Sequence, residues 1–256
     1  IPVGIVRDGA DDAWGRYARE VVALKNEDGT PMFERTHGDY DKLPDAHILY
    51  RKILASKPDH SVIISTVGFS TNLARLLDTP ADEYSPLTGK ELVAQKVKLL
   101  VPMAGNMEDP KYVEYNVERD LPAAKKVFAE WPTPIVVTPF ELGLAIEYPG
   151  KSIECDFPWA PQHPLVESYR SYGLGNIQYD RPTWDLTSVL YAVEGDKWFT
   201  VSEPGTITIT EEGYSIFTPS ADGRFRYLKA TPEQADGINK RFQEIITLKP
   251  ANKKND

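Results

Sequence analysis

The stretch His60-Ser61-Val62-Ile63-Ile64-Ser65-Thr66-Val67, closed by Gly68, decides the fold class. Its β-branched run is what a strand buried in a parallel sheet looks like, and a helix is expected to begin near Thr71. Working outward, residues 46–54 read as a helix before it. After it the alternation repeats, with 92–96 helical, 97–102 a strand, 121–131 helical, 134–138 a strand and 140–146 helical. Such alternation implies an α/β fold, a mostly parallel sheet with helices on both faces. Ligands of such sheets sit at the carboxyl ends of the strands. The residues after Val67 and after Val101 are therefore expected near any active site.

Towards the C-terminus the pattern changes. From 197 to 228, short runs such as Trp198-Phe199-Thr200-Val201 and Thr206-Ile207-Thr208-Ile209, separated by Gly and Asp turns, read as a small antiparallel addition. A helix over 232–248 follows, then a polar, frayed tail over 249–256. At the other end Ile1-Pro2-Val3-Gly4-Ile5-Val6 reads as an interior strand. Residues 11–24 read as an amphipathic surface helix, with Trp14, Tyr17, Ala18, Val21 and Val22 at helical spacing. A chain of 256 residues without internal repeats or a low-complexity linker is expected to form a single domain, 1–256.

Composition narrows the function classes. The chain is 41% hydrophobic and 26% charged, as an ordinary soluble globular protein is. A net charge of -9 with no basic stripe argues against a nucleic-acid partner, which needs clustered Lys and Arg. One cysteine, Cys155, excludes an internal disulfide framework and a thiolate metal cluster, and its expected role is packing. No apolar run reaches the ~20 residues of a membrane span. No signal-peptide pattern is present, and the opening at Ile1 suggests that an upstream segment has been removed.

The segment richest in chemistry is Val101-Pro102-Met103-Ala104-Gly105-Asn106, followed by Glu114-Tyr115-Asn116 and Asp120-Leu121-Pro122-Ala123-Ala124. A strand ends at small residues that let a ligand approach, and a polar loop then presents two amides and a carboxylate. Such side chains can bond the hydroxyls of a sugar from several directions. This order resembles the nucleoside hydrolase family, the inosine-uridine preferring enzymes among them, in which Met-Gly-Gly, an Asn, Glu-Phe-Asn and Asp-Pro-x-Ala-Ala recur. The resemblance implies that Met103, Asn106, Glu114 and Asn116 hold ribose hydroxyls. Ala104 departs from a family glycine and Tyr115 from a phenylalanine, and the spacing from Met103 to Asn106 is shorter. The plainer alternative is that Asn106 and Glu114 are polar loop residues. For Asp120 a simple helix cap is the preferred reading.

Two further segments match. Val67-Gly68-Phe69-Ser70-Thr71-Asn72-Leu73-Ala74 is similar to the family's Gly-Pro-Leu-Thr-Asn-Leu-Ala turn, which makes the Val67 carbonyl a calcium ligand. Helix capping by Thr71 and Asn72 stays open beside any ligand role. Trp184-Asp185-Leu186-Thr187-Ser188 stands where the family has His-Asp-x-x-Ala, which implies that Asp185 binds calcium through a hard carboxylate oxygen; a cap is again the alternative. Trp184 replaces the family histidine. An indole cannot act as a general acid near neutral pH, although it can stack on a base.

The family's N-terminal block, a strand followed by Asp-x-Asp-Pro-Gly-x-Asp-Asp that carries calcium ligands and the general base, has no counterpart here. Asp8-Gly9-Ala10-Asp11-Asp12 looks similar, but its spacing is one residue short and its position is wrong. Ile1-Pro2-Val3-Gly4 instead resembles the family's third strand, so the N-terminal strands of the fold are expected to be missing. His37, His47, His60 and His163 show no paired metal spacing, and Glu141 lies just beyond a strand end. The expectation is thus a calcium-assisted N-glycosidase that hydrolyses ribonucleosides to ribose and free base, with no catalytic base assigned. The alternative is a non-catalytic nucleoside or carbohydrate binding protein on the same fold. Expected partners are a nucleoside or sugar, and either a second copy of the chain or the missing N-terminal segment. A soluble, periplasmic or secreted protein fits this reading.

Overall fold

The structure is a computed structural model that describes residues 1–10, 15–35, 37–160 and 162–251. The chain divides into two compact units. One comprises Ile1–Asp11, Asp39–Ala145 and Trp184–Thr231, the other Asp12–Gly38, Ile146–Thr183 and Pro232–Asp256.

In chain order the elements begin with α1 (Arg16–Val22), α2 (Ala46–Ala55), β1 (Val62–Thr66), α3 (Thr71–Leu77), α4 (Gly89–Lys96) and β2 (Val97–Pro102). Next come α5 (Tyr115–Arg119), α6 (Leu121–Glu130), β3 (Ile135–Val137), α7 (Phe140–Leu144), β4 (Glu147–Tyr148), α8 (Gly150–Cys155) and α9 (Pro164–Tyr172). The rest are β5 (Arg181–Pro182), α10 (Trp184–Glu194), β6 (Thr200–Val201), β7 (Gly205–Ile209), β8 (Ser215–Pro219), β9 (Phe225–Lys229) and α11 (Pro232–Ile246).

The first unit is built on a sheet of order β1-β2-β3-β9-β7-β8, with β6 paired to β9. β1, β2, β3 and β9 run parallel, while β6, β7 and β8 pair antiparallel to their neighbours. The C-terminal strands therefore join the main sheet, β9 directly beside β3. Successive strand residues point to opposite faces. Ile64, Leu100 and Ile135 enter a core with Leu54, Leu73, Leu76, Leu92 and Phe128 from α2, α3, α4 and α6. Ser65, one residue on from Ile64, faces the other way and bonds Ser188 of α10 at 2.7 Å. Helices thus cover both faces, as the alternating pattern implies.

Local chemistry explains several boundaries. Thr88 and Glu91 form a reciprocal capping box at the start of α4. Gly89 lies so close to the Leu76 carbonyl that a Cβ would overlap it. Asp120 caps α6 by accepting from the Ala123 amide, and it also accepts from the Thr71 hydroxyl. Neither Thr71 nor Asn72 is the N-cap of α3, a position held by Ser70 without a side-chain bond. Arg51 of α2 is fully buried, with Nε and Nη2 on Asp82 at 2.6 and 2.9 Å, Nη1 on Thr79 and further bonds to the Ser85 and Leu87 carbonyls.

The second unit pairs β4 with β5 as a small antiparallel sheet and packs α1 against α9. Tyr172 and Tyr179 stack, and the Arg181 guanidinium lies 4.2 Å from the Tyr172 ring centroid. His163 caps α9 through Nδ1, which accepts from the Leu165 amide, so its role here is structural.

Three expectations change. The segment Ile1-Val6 is not an interior strand: it makes one isolated parallel bridge, Ile5 to Asp45, and leaves Ile1, Val3 and Val6 exposed. Apolar composition alone does not make a strand without a neighbour to pair with, and Pro2 has no amide to donate. Cys155 ends a six-residue helix and is exposed rather than packed. The expected 11–24 helix covers Arg16–Val22; Asp11, Asp12 and Trp14 lie outside the described residues, as does 252–256 of the tail. Among the described residues no helix is long and apolar enough to cross a membrane.

Candidate functional site

The residues that follow β1 and β2 come together at the carboxyl ends of the two strands. Their register sets Thr66 beside Pro102, and the Met103 amide continues it by donating to the Thr66 carbonyl at 2.9 Å. Ser188 holds α10 over this end, its hydroxyl donating to the Val101 carbonyl at 2.7 Å. That bond places Trp184 and Asp185, one helical turn earlier, above the same strand ends.

Met103, Asn116 and Glu114 are brought into one network. Asn116 Nδ2 donates to the Met103 carbonyl at 3.0 Å and lies 3.1 Å from Met103 Sδ. Glu114 is the N-cap of α5, with Oε1 accepting from the Asn116 amide at 2.9 Å. Its Oε2 accepts from Val117 and Gly105, each at 3.2 Å. Gly105 adopts φ +73°, and a Cβ there would meet the Ser215 hydroxyl. Glu114 is 2% exposed. Burial pushes its carboxyl up to about 7, the backbone N–H donors pull it back down, and the Asp185 charge adds to the rise.

Asn106 is 6% exposed, and its Oδ1 accepts from the Glu108 and Asp109 amides at 3.0 and 2.8 Å. This Asx turn shapes the loop. Asp185 is exposed at the surface, and desolvation by the protein packed beside it pushes its carboxyl up to about 6. Val67 stands just past β1 and lines an open cavity of about 720 Å³ with Thr66, Gly68, Phe69 and Asn72. Asp8, Gly9 and Ala10 line it too, although sequence position argued against that segment. Arg75 secures them, donating to the Arg7 and Asp8 carbonyls.

Trp184 is the head of an aromatic column that the sequence reading missed. Its ring stacks on Phe140 at 5.5 Å, and Phe140 stacks on Tyr112 at 4.6 Å. The indole N–H donates to the Phe140 carbonyl at 3.0 Å, which fixes the ring. The signal for this partnership is Gly143, one turn beyond Phe140, where a Cβ would overlap the Trp184 ring and Cα. Gly143→Ala is expected to displace Trp184 and lower stability by about 1–3 kcal/mol through overpacking. A urea titration followed by tryptophan fluorescence checks it, and an unchanged midpoint and emission maximum would refute the contact.

Among the described residues no three of His, Cys, Asp and Glu converge as a metal cluster. Calcium takes six to eight oxygens. The two residues expected to bind it, Val67 and Asp185, would supply only part of such a shell, and both Glu114 oxygens already accept from backbone amides.

The parallel strands, the flanking helices and the antiparallel strands define a nucleoside hydrolase-like fold. Among solved structures, the chain is similar to a plant nucleoside hydrolase, at 15% identity and a TM-score of 0.67, over 96% of this chain and 81% of that one. It is similar to the inosine-uridine preferring nucleoside hydrolase from Bacillus anthracis at 16% identity and a TM-score of 0.59, over 95% and 80%. The type III effector protein XopQ, complexed with adenosine diphosphate ribose, matches at 14% identity and a TM-score of 0.52, over 82% and 68%. No protein-family model matches the sequence, and no curated protein matches it. At these identities the likeness establishes the fold alone.

Proposed function

We propose that this chain is a nucleoside hydrolase-like N-glycosidase that cleaves the N-glycosidic bond of ribonucleosides, inosine and uridine among them. The observation that carries the reading is the convergence of Met103, Asn116, Glu114 and Asp185 at the carboxyl ends of β1 and β2, with two of the four being carboxyls raised towards neutrality. Asn116 uses Nδ2 on Met103, and its Oδ1 is the atom offered to a ribose hydroxyl. Nδ2 of Asn106 is offered in the same way. Met103 supplies an apolar contact for the sugar, and the outer face of Trp184 stacks on the base. Glu114 holds the turn that carries these groups and, in its ionised form, would add negative charge near a developing oxocarbenium ion.

Calcium belongs to the proposal at Val67 and Asp185. When bound it would orient a water and the sugar diol. These two donors do not complete its shell.

A second reading, a non-catalytic nucleoside-binding protein, is favoured by one specific observation. Glu114, which accepts from three backbone amides, has both oxygens engaged. Release of free ribose from inosine or uridine, with calcium present and absent, separates the two. Ribose release supports the enzyme, and saturable nucleoside binding without release supports the binding protein.

Under either reading Asp185 is an acceptor when ionised. Affinity for inosine is therefore expected to rise as pH increases through about 6. Asp185→Asn should weaken it by roughly 10–100-fold at pH 7.5, the effect of losing one charged hydrogen bond, and should flatten the pH profile. Isothermal titration from pH 5 to 8 measures this, and unchanged affinity in the variant would remove Asp185 from the site.

A further inference from the structure

We propose that Glu141 is a positioning residue: together with the Phe140 amide it clamps the turn at residues 105–107, and so sets where Asn106 meets a ligand, in one piece with the Trp184 ring. This rests on the reading above that the loop after β2 holds a sugar. The geometry starts at the end of β3, where the Thr138 amide donates to the Pro102 carbonyl at 2.9 Å and keeps the two strand ends level. Two residues later the Phe140 amide donates to the Gly105 carbonyl at 2.9 Å. The Met107 amide then donates to Glu141 Oε1 at 3.0 Å. The turn is thus held at both ends by adjacent residues of α7, and Asn106 lies between the two anchor points. The same Phe140 carries the Trp184 ring and accepts its N–H. One corner of backbone therefore fixes both the sugar side and the base side.

What separates this from ordinary packing is the other carboxyl oxygen. Glu141 Oε2 is buried and has no hydrogen-bond partner among the described residues. Burial pushes the carboxyl up, its own backbone amide and that of Met107 oppose the rise, Glu108 adds to it and the Lys229 charge lowers it. A buried acceptor left unpaired costs stability, which offsets part of what the bond to Met107 contributes. Serving the Met107 amide needs one oxygen, and the second is buried without a use in packing. Placement at a cost is the pattern of groups that serve a site.

The test compares Glu141→Ala and Glu141→Gln in the full chain, reading amide hydrogen exchange at residues 105–107, thermal unfolding and titration with ribose and inosine. The clamp predicts that Ala speeds exchange at Met107 by at least ~tenfold. The melting temperature should stay within about 2 °C, because removing the orphaned oxygen offsets the loss of an acceptor for the half-buried Met107 amide. Gln keeps a carbonyl acceptor for Met107 and should restore slow exchange and any affinity that Ala loses. Unchanged exchange in the Ala variant overturns the proposal. So does a melting temperature that falls by several degrees without rescue by Gln, since that marks a merely structural role. If exchange responds as expected while the unaltered chain binds neither ribose nor inosine, the clamp stands and the sugar-binding reading falls.

Discussion

Glu114→Ala is expected to lower stability by roughly 2–4 kcal/mol, because three buried or half-buried amides, those of Gly105, Asn116 and Val117, lose their acceptor at once. For a chain of this size that is a drop of about 6–12 °C in melting temperature. The same change frees the turn at Gly105 and uncaps α5, so affinity for any ligand held by Asn116 should fall with it. Glu114→Gln separates the contributions. Its carbonyl can still cap α5, while its amide cannot accept from Gly105. The titration differs as well. The folded carboxyl lies near 7, above the ordinary 4.5, so its contribution to stability is full below about 4.5 and is lost as pH rises through 7. In the Gln variant that slope should disappear. Urea unfolding at pH 5 and pH 8 reads both effects, and an equal pH dependence in the two proteins would show that Glu114 does not titrate as its burial implies.

Arg51→Ala should be the more damaging substitution elsewhere in the sheet unit, costing roughly 3–5 kcal/mol. The guanidinium is fully buried and serves Asp82, Thr79 and two carbonyls of the 79–88 loop, so its removal leaves a cavity and several unpaired acceptors. Arg51→Lys should recover little, since a single ammonium cannot reproduce the fork on Asp82. The Arg51 hydrogen bonds hold the Asp82 carboxyl at about 2, below the ordinary 3.8. Its share of stability is therefore present above about pH 4 and lost as pH falls towards 2. Acid unfolding of the wild type and of Asp82→Asn should diverge above pH 4 and converge near pH 2. A melting temperature of Arg51→Ala within about 2 °C of wild type would refute the weight placed on this network.

Much of the frame was legible because its signals are local. The β-branched run around Ile64 and the interval 97–102 declared two parallel strands, and the second agrees with β2 at both ends. Asp120 declared a cap, and the structure uses it as one. These outcomes depend on a few neighbouring residues, through side-chain periodicity and the orphan amides of a helix start. The small helices α5, α8 and α9 and the strands β4 and β5 carry weaker patterns and were not anticipated.

The site was legible only as a set of residue types. Sequence order brought Met103, Asn116 and Glu114 to attention, and the structure does join them, but it gives the Glu114 oxygens to backbone amides and Asn106 Oδ1 to its own loop. The stack of Tyr112, Phe140 and Trp184 and the contact of Arg51 with Asp82 join residues about 30 to 70 positions apart. Nothing within a short window selects such partners. The N-terminal Ile1-Pro2-Val3-Gly4-Ile5-Val6 makes the same point in reverse, since a strand exists only where another strand supplies its hydrogen bonds, and here only Ile5 finds a bridge. The sequence by itself determined which segments could be strands and helices, and hence the parallel α/β class. Tertiary structure decided which polar atoms remain available to a ligand, because that depends on which acceptors the folded backbone has already claimed.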